Sequence, residues 1–352
     1  MKLFTQLICL FFCANTLWAQ PDQEIKASLA DSGFIIKDPA FAACHAATLV
    51  ELPNNKLMAA WFAGPYESSP EVCIWLALYQ NGQWSPPSII ADGIINDSLR
   101  YACWNPVLFR NKKGKLFLFY KVGKSPRDWW GMMKYSTDDG KSWSAPKQLP
   151  DGFLGPIKNK PIQLKNGNLL YPSSTESKDL QQWKIHVEKS DGNANHWQHI
   201  SINCDSFAVI QPSILIHPNN KLQLLCRSKQ NYIVQSWSTD NGKTWQPLSK
   251  TNLQNPNSGI DAVTLKNGLQ LVVYNPLLSG KDWVNGRNKL AVAVSYNGID
   301  WKNIYILEDL PDGEFSYPAV IQTNNGSVHI VYTYNRKNIK HVVLKIEQSV
   351  KQ

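Results

Sequence analysis

Residues 136–143 read STDDGKSW, and residues 238–245 read STDNGKTW. Both stretches fit the pattern S-x-D-x-G-x-[ST]-W, and each follows an apolar run of strand-like character. Asp or Asn beside Gly favours a tight hairpin turn, because Gly accepts a positive φ and the short polar side chains bond to nearby backbone amides. We expect the tryptophan that follows to fold back against the sheet. A motif repeated in this way indicates an architecture built from similar units.

Looser copies of this turn extend the repeat along the chain. They end at Trp84, Trp197 and Trp301, so that successive tryptophans of the series lie 59, 54, 48 and 56 residues apart. Such a spacing is roughly the length of one four-stranded propeller blade. Strand, Asn/Gly turn, strand is also the hairpin signature, and it occurs around turns at 54–55, 113–114, 166–167, 219–220, 267–268 and 325–326. The sequence therefore predicts an all-β fold, a six-bladed β-propeller with Asp-box turns, closed by pairing of its terminal strands.

The N-terminal 20 residues have the pattern of a secretory signal peptide. Lys2 precedes an apolar run at 7–13, and LWAQ at 17–20 follows, with cleavage expected after Ala19 or Gln20. The run is too short to span a bilayer, and no later segment is long enough, so we expect no transmembrane segment. We therefore predict a signal peptide at 1–20, a single propeller domain at 21–352, and a monomer that is secreted or periplasmic.

Composition narrows the class of partner. The formal net charge is +9, but Lys and Arg are dispersed along the chain, which argues against a nucleic-acid groove. A basic chain with 14 Trp and 13 Tyr suits an anionic carbohydrate, although propeller cores also use aromatic residues. Five widely spaced cysteines follow residue 20, without a C-x-x-C pair, so buried free thiols are expected. No metal-ligand or cofactor motif is present, and we predict neither a metal nor a cofactor.

Four segments resemble the sialidase (neuraminidase) superfamily over essentially the whole mature chain. Asn105 lies in WNPV, which is followed by GKLFLF at 114–119, like the N-P-x-x…G-x-L-F-L-F stretch of sialidases. Arg227 lies in LCRS, which resembles the N-A-R-S strand, and Arg287 in GRNKL matches the R-x-x-L motif. Tyr317, in SYPAV, matches Y-S-x-L-V. The resemblance implies that Arg227 and Arg287 belong to a triad that binds the substrate carboxylate, and that Tyr317 is the nucleophile.

The chemistry of such a site follows from its residue types. An arginine's planar guanidinium holds a carboxylate through two parallel charge-assisted hydrogen bonds. A sugar with a carboxylate at its reacting carbon repels an Asp or Glu nucleophile, and a neutral Tyr avoids that repulsion. A general acid must still protonate the leaving oxygen. The family places this acid in the loop at 64–71, where alignment puts Glu67 at the acid position, with Glu71 as the second choice or as a hydroxyl ligand.

The chain departs from the family pattern at two positions. His45 stands where sialidases carry the first arginine of the triad, in an R-I-P motif. Gln211 stands where they carry the Glu that activates the Tyr, and Glu188 and Glu314 are candidates to replace that carboxylate. A histidine exchanges a proton near neutral pH, which arginine does not, so His45 also suits β-elimination at a uronic acid.

Two loops supply further candidates for the site, because the loops of a propeller gather at one end of its central channel. Lys160 lies in the Pro-bounded segment 156–161, and Asp261 lies at the exit of the turn-rich segment 255–261. Both segments are equally consistent with connections between blades. The resemblance implies an exo-acting glycoside hydrolase that releases a terminal, acidic sugar from a glycan or oligosaccharide. A polysaccharide lyase acting on uronic-acid glycans and a carbohydrate-binding propeller without turnover remain as alternatives.

Overall fold

Six antiparallel sheets form the fold seen in the computed structural model, which describes residues 23–179, 181–282 and 284–350. The arrangement is the six-bladed, all-β propeller that the sequence predicts. One short 3-10 turn at Pro218–Asn220 is the sole helical element in those ranges, and none of the residues they contain forms a helix able to cross a membrane. The predicted signal peptide at 1–20 lies outside the described residues, so its boundary stays a prediction.

The strands follow one another around the ring in chain order. The chain begins with β1 Gln23–Phe34, which precedes blade 1. Blade 1 contains β2 Ala43–Leu52, β3 Lys56–Gly64, β4 Cys73–Gln80, β5 Gln83–Trp84 and β6 Ser88–Ala91. A small hairpin follows, formed by β7 Ile94–Asn96 and β8 Leu99–Arg100. Blade 2 contains β9 Ala102–Arg110, β10 Leu116–Gly123, β11 Trp130–Ser136 and β12 Lys147–Gln148. Blade 3 contains β13 Ile162–Gln163, β14 Leu169–Glu176, β15 Trp183–Ser190 and β16 Gln198–Ser201.

The second half of the ring repeats this plan. Blade 4 contains β17 Val209–Ile216, β18 Leu222–Ser228, β19 Tyr232–Ser238 and β20 Ser249–Gln254. Blade 5 contains β21 Asp261–Thr264, β22 Gln270–Tyr274, β23 Lys289–Ser295 and β24 Lys302–Asp309. Blade 6 contains β25 Phe315–Gln322, β26 Val328–Tyr334 and β27 Asn338–Val350. Blades 2 to 5 each place their first strand at one edge of the sheet and their fourth at the other.

The ring is closed by the two ends of the chain. In blade 6 the strand order is β1-β27-β26-β25, so the first strand completes the last sheet. The register runs from Gln23 opposite Val350 to Phe34 opposite Lys340. This pairing removes the exposed edge that an open blade 6 would leave, and it confirms the predicted closure.

The repeated turns connect the third and fourth strands of their blades. In blade 2, Asp138 accepts hydrogen bonds from Ser136 Oγ at 2.7 Å, Ser142 N at 2.9 Å and Ser142 Oγ at 2.6 Å. Trp143 Nε1 then donates to the carbonyl of Gly140 at 3.2 Å. Gly140 has φ 86°, which explains the glycine of the motif. The same carboxylate contacts recur around Asp240 in blade 4, where Trp245 Nε1 has no hydrogen-bond partner among the described residues. The Asp carboxylate is thus the part of the motif that stabilises both turns.

The second strands of the blades form the buried frame of the propeller. Five of the largest fully buried side chains lie one per blade on these strands: Trp61, Tyr120, Tyr171, Tyr274 and Tyr332. Burial of each such ring contributes about 2–3 kcal/mol of transfer free energy. The aromatic residues are thus used heavily by the core. The five cysteines in the described part of the chain are free and buried, as expected.

Candidate active site

Bulges in the innermost strands define one end of the central channel. Left-handed residues occur near the start of β2, β9, β17 and β25, and the strand register shifts at each of them: Ala46 (φ 54°), Asn105 (φ 37°), Gln211 (φ 55°) and Tyr317 (φ 52°). In three of the four, the next residue is a proline. Proline has no N–H to lose from a ladder, so it is tolerated at such a bulge. A bulge re-aims a side chain, and these four sit together at the channel mouth.

Tyr317 is the centre of the contacts at this mouth. Its phenol oxygen accepts a hydrogen bond from Arg227 Nη1 at 2.7 Å and a longer one from Gln211 Nε2 at 3.4 Å. The ring of His45 lies against the Tyr317 ring, with 4.2 Å between the two centroids. Because both hydrogen bonds are donated to the phenol oxygen, its own proton must find a different acceptor. The structure thus brings together Tyr317, Arg227, Gln211 and His45, which the sequence analysis selected separately.

Arg227 is fixed from several sides. Its Nη1 also donates to Gln211 Oε1 at 3.3 Å, and its Nε donates to Asn257 Oδ1 at 3.1 Å. The guanidinium lies 5.4 Å from the centroid of the Trp183 ring. Such contacts orient the planar group before any ligand arrives. Asn257 and Trp183 are site residues that the motif comparison did not select.

A second arginine, Arg287, is held by Glu314. Arg287 Nη1 lies 3.4 Å from Glu314 Oε1, and both side chains are buried. Burial lowers the pKa of Arg287, and electrostatic interactions with Tyr317 and Glu314 oppose that shift. Glu314 also accepts a hydrogen bond from Ser316 Oγ at 3.1 Å. Glu314 is therefore a counter-ion of the arginines, and this role differs from the predicted activation of Tyr317.

The third arginine at the mouth is Arg336, which the sequence analysis missed. It lies in the turn between β26 and β27, where Asn335 (φ 51°) and Arg336 (φ 57°) are both left-handed, as in a type I′ hairpin. Its Nε lies 3.1 and 3.2 Å from the two oxygens of Glu314. Its Nη1 forms an ion pair with Glu67. Burial lowers the pKa of Arg336, but Glu67 and Glu314 outweigh this effect and leave it raised.

The mouth is strongly cationic. Arg227, Arg287, Arg336 and Lys158 all act on His45, whose pKa lies well below its usual value, first through burial and then through these four charges. His45 is therefore neutral, and its Nδ1 has no hydrogen-bond partner among the described residues. It lines a cavity of about 100 Å³ together with Phe62, Glu67 and Arg336, among others. A site of this charge favours an anionic ligand.

Lys160 and Asp261 occupy the interior of the ring. They form an ion pair at 2.7 Å. Asp261 also accepts hydrogen bonds from Ser213 Oγ at 2.9 Å and from Val320 N at 2.9 Å, so it joins the inner strands of blades 4, 5 and 6. These contacts occupy both carboxylate oxygens. The pair therefore has the role of a connection between blades, the alternative left open for these segments, in place of substrate binding.

Glu188 is placed in the framework of blade 3 and away from Tyr317. It lies on the third strand of its blade, outside the innermost strands that surround the channel. Its oxygens accept hydrogen bonds from the backbone N–H groups of Leu154 at 2.9 Å and Gly155 at 2.7 Å, and His186 Nε2 lies at 3.0 Å. Four contacts, including Ser173 Oγ at 3.3 Å, hold this fully buried carboxylate, so it anchors the segment that enters blade 3.

The remaining candidates lie at the rim or in the channel wall. Glu67 reaches the mouth through Arg336, whereas Glu71 is exposed and the contacts described for it are made by its main chain. Asn105 is buried at the bulge of blade 2. The roles of Glu71 and Asn105 as substrate ligands stay predictions.

The topology explains why these groups meet. Most site residues come from the start of an innermost strand or from a loop between a blade's second and third strands, and Arg227 lies near the end of the second strand of blade 4. These three features lie at the same end of a propeller. Glu67, Arg287 and Arg336 come from such loops in blades 1, 5 and 6. The Asp-box turns connect third and fourth strands and lie at the opposite end. The turn motifs thus determine the scaffold and contribute nothing to the mouth.

Comparison with known proteins agrees with this architecture. The family model of the BNR repeat-like domain matches residues 55–330. A protein of unknown function from Dyadobacter fermentans has a similar structure, with 16% sequence identity and a TM-score of 0.75 over 91% of this chain and 99% of that one. Comparison with curated proteins gives no match.

Two further structures of similar fold are sialidases. The intramolecular trans-sialidase from Ruminococcus gnavus is 16% identical, with a TM-score of 0.64 over 90% of this chain and 96% of that one. A sialidase from Streptococcus pneumoniae is 13% identical, with a TM-score of 0.68 over 87% of this chain and 68% of that one. At such identities the likeness concerns the fold. The chain therefore belongs to the family of proteins with a BNR repeat-like domain and has the six-bladed fold of the sialidases.

Proposed function

We propose that this protein is an exo-acting glycoside hydrolase that releases a terminal sugar bearing a carboxylate from a glycan. The observation that carries the proposal is the convergence of three arginines around the phenol of Tyr317. Arg227 donates to its oxygen, and both Arg287 and Arg336 interact electrostatically with the phenol. An arginine cluster beside a positioned nucleophile suits a substrate whose carboxylate lies next to its reacting carbon.

Arg336 takes the place of the arginine that is missing at position 45. It comes from blade 6, whereas the family's arginine comes from the first strand of blade 1, but its charge reaches the same pocket as His45. Glu67 and Glu314 are its counter-ions in the free protein. A bound carboxylate competes with Glu67 for Arg336, which releases Glu67 to carry the proton for the leaving oxygen.

Tyr317 then attacks the anomeric carbon while the bond to the leaving oxygen breaks and Glu67 protonates that oxygen. In a second step water attacks the same carbon, Glu67 takes a proton from that water, and the leaving phenolate regains its proton from the base that had accepted it. Gln211 is an amide and cannot accept the phenol proton, so His45, with its unpartnered Nδ1, takes it. The anionic substrate offsets the cations that keep His45 neutral, and so makes it a stronger base when substrate is bound.

A lyase acting on uronic-acid glycans is the second candidate. It is favoured by a specific observation, the neutral His45 against Tyr317 together with an amide at Gln211. In that reaction His45 removes the proton beside the carboxylate, the arginines stabilise the enolate-like charge, and Tyr317 protonates the leaving oxygen. The predicted export through a signal peptide suits either activity on extracellular or periplasmic glycans.

One incubation distinguishes these functions. The protein is mixed with a panel of sialosides and uronic-acid oligosaccharides, and the products are read by mass and by ultraviolet absorbance together. Hydrolysis adds water to the products without new absorbance, whereas β-elimination creates a conjugated double bond that absorbs. Binding of an acidic glycan with neither product would support the non-catalytic propeller and overturn both enzymatic proposals. The Tyr317→Phe protein is the control for contaminating activity.

A further inference from the structure

The bulges that present Tyr317 and Gln211 need support from outside their own strands. Both residues are left-handed, a conformation that costs a non-glycine residue roughly 1–2 kcal/mol. Each bulge also interrupts the pairing with the neighbouring strand, between Ile210 and Ser213 and between Ser316 and Ala319. Strain of this kind persists only where the surroundings impose the conformation.

Lys158 holds the bulge of Tyr317. This buried side chain lies in the segment that leads into blade 3, and its Nζ donates to Pro318 O at 2.6 Å and to Ile260 O at 2.9 Å. A third hydrogen bond reaches Asn159 Oδ1 at 2.8 Å. One ammonium group thus joins the bulge of blade 6 to the chain that enters blade 5. It lies 5.7 Å from the centroid of the Tyr317 ring.

Asn159 holds the bulge of Gln211 in the same way. Its Nδ2 donates to Gln211 O and to Pro212 O, both at 3.0 Å. The residue is 2% exposed. Lys158 and Asn159 are hydrogen-bonded to each other, so the two bulges are supported by one continuous unit. The two residues that these bulges present, Gln211 and Tyr317, are themselves in contact.

The space around Lys158 is shaped for this contact. A Cβ added at Gly259 would lie 3.1 Å from Lys158 Cε and 3.1 Å from Tyr317 Cδ2. Such a distance is tighter than ordinary van der Waals contact, so a side chain at 259 would push Lys158 and Tyr317 apart. Glycine at this position allows the lysine and the tyrosine to approach.

The charge of Lys158 is sensitive to its surroundings. Burial lowers its pKa to about 7; Asp261 opposes this shift, and Lys160 and Arg227 add to it. From blades 1 and 6 it is faced by neutral His45 and by the Tyr317 ring. The ammonium form has three N–H donors for its three acceptors, and the neutral amine has two. Deprotonation therefore removes one of the supporting hydrogen bonds.

We propose that Lys158 and Asn159 are positioning residues that hold the bulges of Tyr317 and Gln211 and thereby set the hydrogen bonds at the phenol oxygen. The kinetic part of this proposal rests on the proposed function, whereas the structural part does not. The Pro-bounded segment at 156–161 thus lies beneath the mouth and supports it. Its neighbouring lysine and asparagine donate hydrogen bonds to the bulges of blade 6 and blade 4, respectively.

The test compares Lys158→Met with Lys134→Met. Lys134 is the control, because burial also lowers its pKa and its Nζ also donates to a carbonyl, that of Ile90 at 2.9 Å, which lies outside the segment 156–161. The readout is the ¹³Cζ signal of Tyr317 in protein labelled at tyrosine, assigned by its loss in Tyr317→Phe. We expect the signal to move in Lys158→Met and to keep its wild-type position in Lys134→Met.

Kinetic measurements complete the test. With a substrate found in the panel, we expect kcat to fall at least about 10-fold in Lys158→Met with KM within about twofold, and Asn159→Leu to act in the same direction. An unmoved Tyr317 signal in Lys158→Met, or an equal shift in Lys134→Met, would overturn the positioning role. Absence of turnover in the wild type would instead contradict the proposed function and leave the spectroscopic result intact.

Discussion

At the scale of single residues, Arg336 changes the chemistry expected of the mouth. The motif at the start of blade 1 has lost its arginine, and a turn between the last two strands supplies another. Arg336 has a left-handed backbone conformation, which strains a non-glycine residue, at a position where type I′ turns usually carry glycine. Glu314 and Glu67 hold it there through three described contacts. Residues strained in this way at a site are a sign of function.

Replacement of Arg336 tests binding and stability separately. In Arg336→Gly the turn loses its strain, but the buried Glu314 loses one of its counter-ions, so we expect the free energy of unfolding to fall by about 1–3 kcal/mol with the native fold retained. Affinity for an acidic sugar should fall about 10- to 100-fold, because a charge that faces the carboxylate is gone. Lys337→Gly removes an exposed charge from the same turn and should leave affinity unchanged. Calorimetric titration together with thermal unfolding checks both expectations.

Tyr317 allows a second test at this scale. Tyr317→Phe keeps the ring against His45 but removes the oxygen that accepts from Arg227. We expect turnover to fall by about 10³-fold or more, since no other nucleophile replaces it. Affinity for the sugar should change by less than about threefold. Initial rates at saturating substrate check this prediction, and a rate near that of the wild type would remove Tyr317 from the reaction.

At the scale of elements, the Asp-box turn stabilises the connection between two strands. Although burial opposes ionisation of Asp240, hydrogen bonds from Thr244 outweigh it and lower its pKa to about 2. A carboxyl whose folded pKa is depressed contributes its stability above the unfolded pKa, near 4, and loses it as the pH falls toward 2. The group is largely exposed, so solvent weakens the effect.

Asp240→Asn should therefore lower the free energy of unfolding by about 1 kcal/mol at pH 7. The difference from wild type should shrink below about pH 4, where the carboxyl of the unfolded chain takes up its proton while that of the native protein stays ionised until about pH 2. Asp97→Asn, on the exposed turn between β7 and β8, serves as a control and should have no measurable effect. Urea unfolding at pH 7 and pH 3 checks the prediction, and a constant difference between the two would contradict it.

The elements also explain how far the sequence could predict the site. Arg227, Arg287, Gln211, His45 and Tyr317 lie on strands or just before them, where local motifs determine position. Arg336 follows no motif, because a type I′ turn is defined by φ angles and by the partners that stabilise them. Glu188, Lys160 and Asp261 have charges that would suit catalysis or substrate binding, but in the structure their side chains contact the framework of the propeller. The sequence alone does not show which charged residues face the channel mouth and which face the framework.

At the scale of the whole molecule, the fold was the most predictable feature. Turn residues and apolar strands are local signals repeated in every blade, and the tryptophan spacing covers the first five, so the count of hairpins predicted the six-bladed ring. The closure between β1 and β27 also followed, because an open edge strand is unfavourable. Contacts across the channel, such as those of Lys158, join residues more than 100 positions apart and have no local signature.

The closed ring predicts a sensitivity to acid. His329 Nδ1 and His341 Nε2 lie 3.0 Å apart where blade 6 meets Trp84 of blade 1. Burial lowers their pKa values to about 4 and about 3, with Asp31 opposing the shift of His329 and His329 adding to that of His341. The unfolded chain thus binds more protons than the native one between about pH 6.5 and pH 3. Stability should fall as the pH decreases through this range.

His341→Gln should reduce that pH dependence. The free energy of unfolding at pH 7 is expected to fall by about 1–2 kcal/mol, through the lost contacts with His329 and Trp84. Its decrease between pH 6.5 and pH 4 should be smaller than in the wild type, because one buried imidazole is gone. Chemical unfolding at several pH values gives both quantities, and an unchanged slope would exclude the histidine pair as its cause.

The central claim is that Arg227, Arg287 and Arg336 form a carboxylate site beside Tyr317. The most direct test is calorimetric titration of Tyr317→Phe, which binds without turnover, with N-acetylneuraminic acid and with glucuronic acid. Each is compared with its analogue in which the carboxylate is reduced to an alcohol. We predict that at least one acidic sugar binds 10-fold or more tightly than its alcohol, and that Arg336→Gly removes the difference. Equal affinity for acid and alcohol in both pairs would contradict the claim.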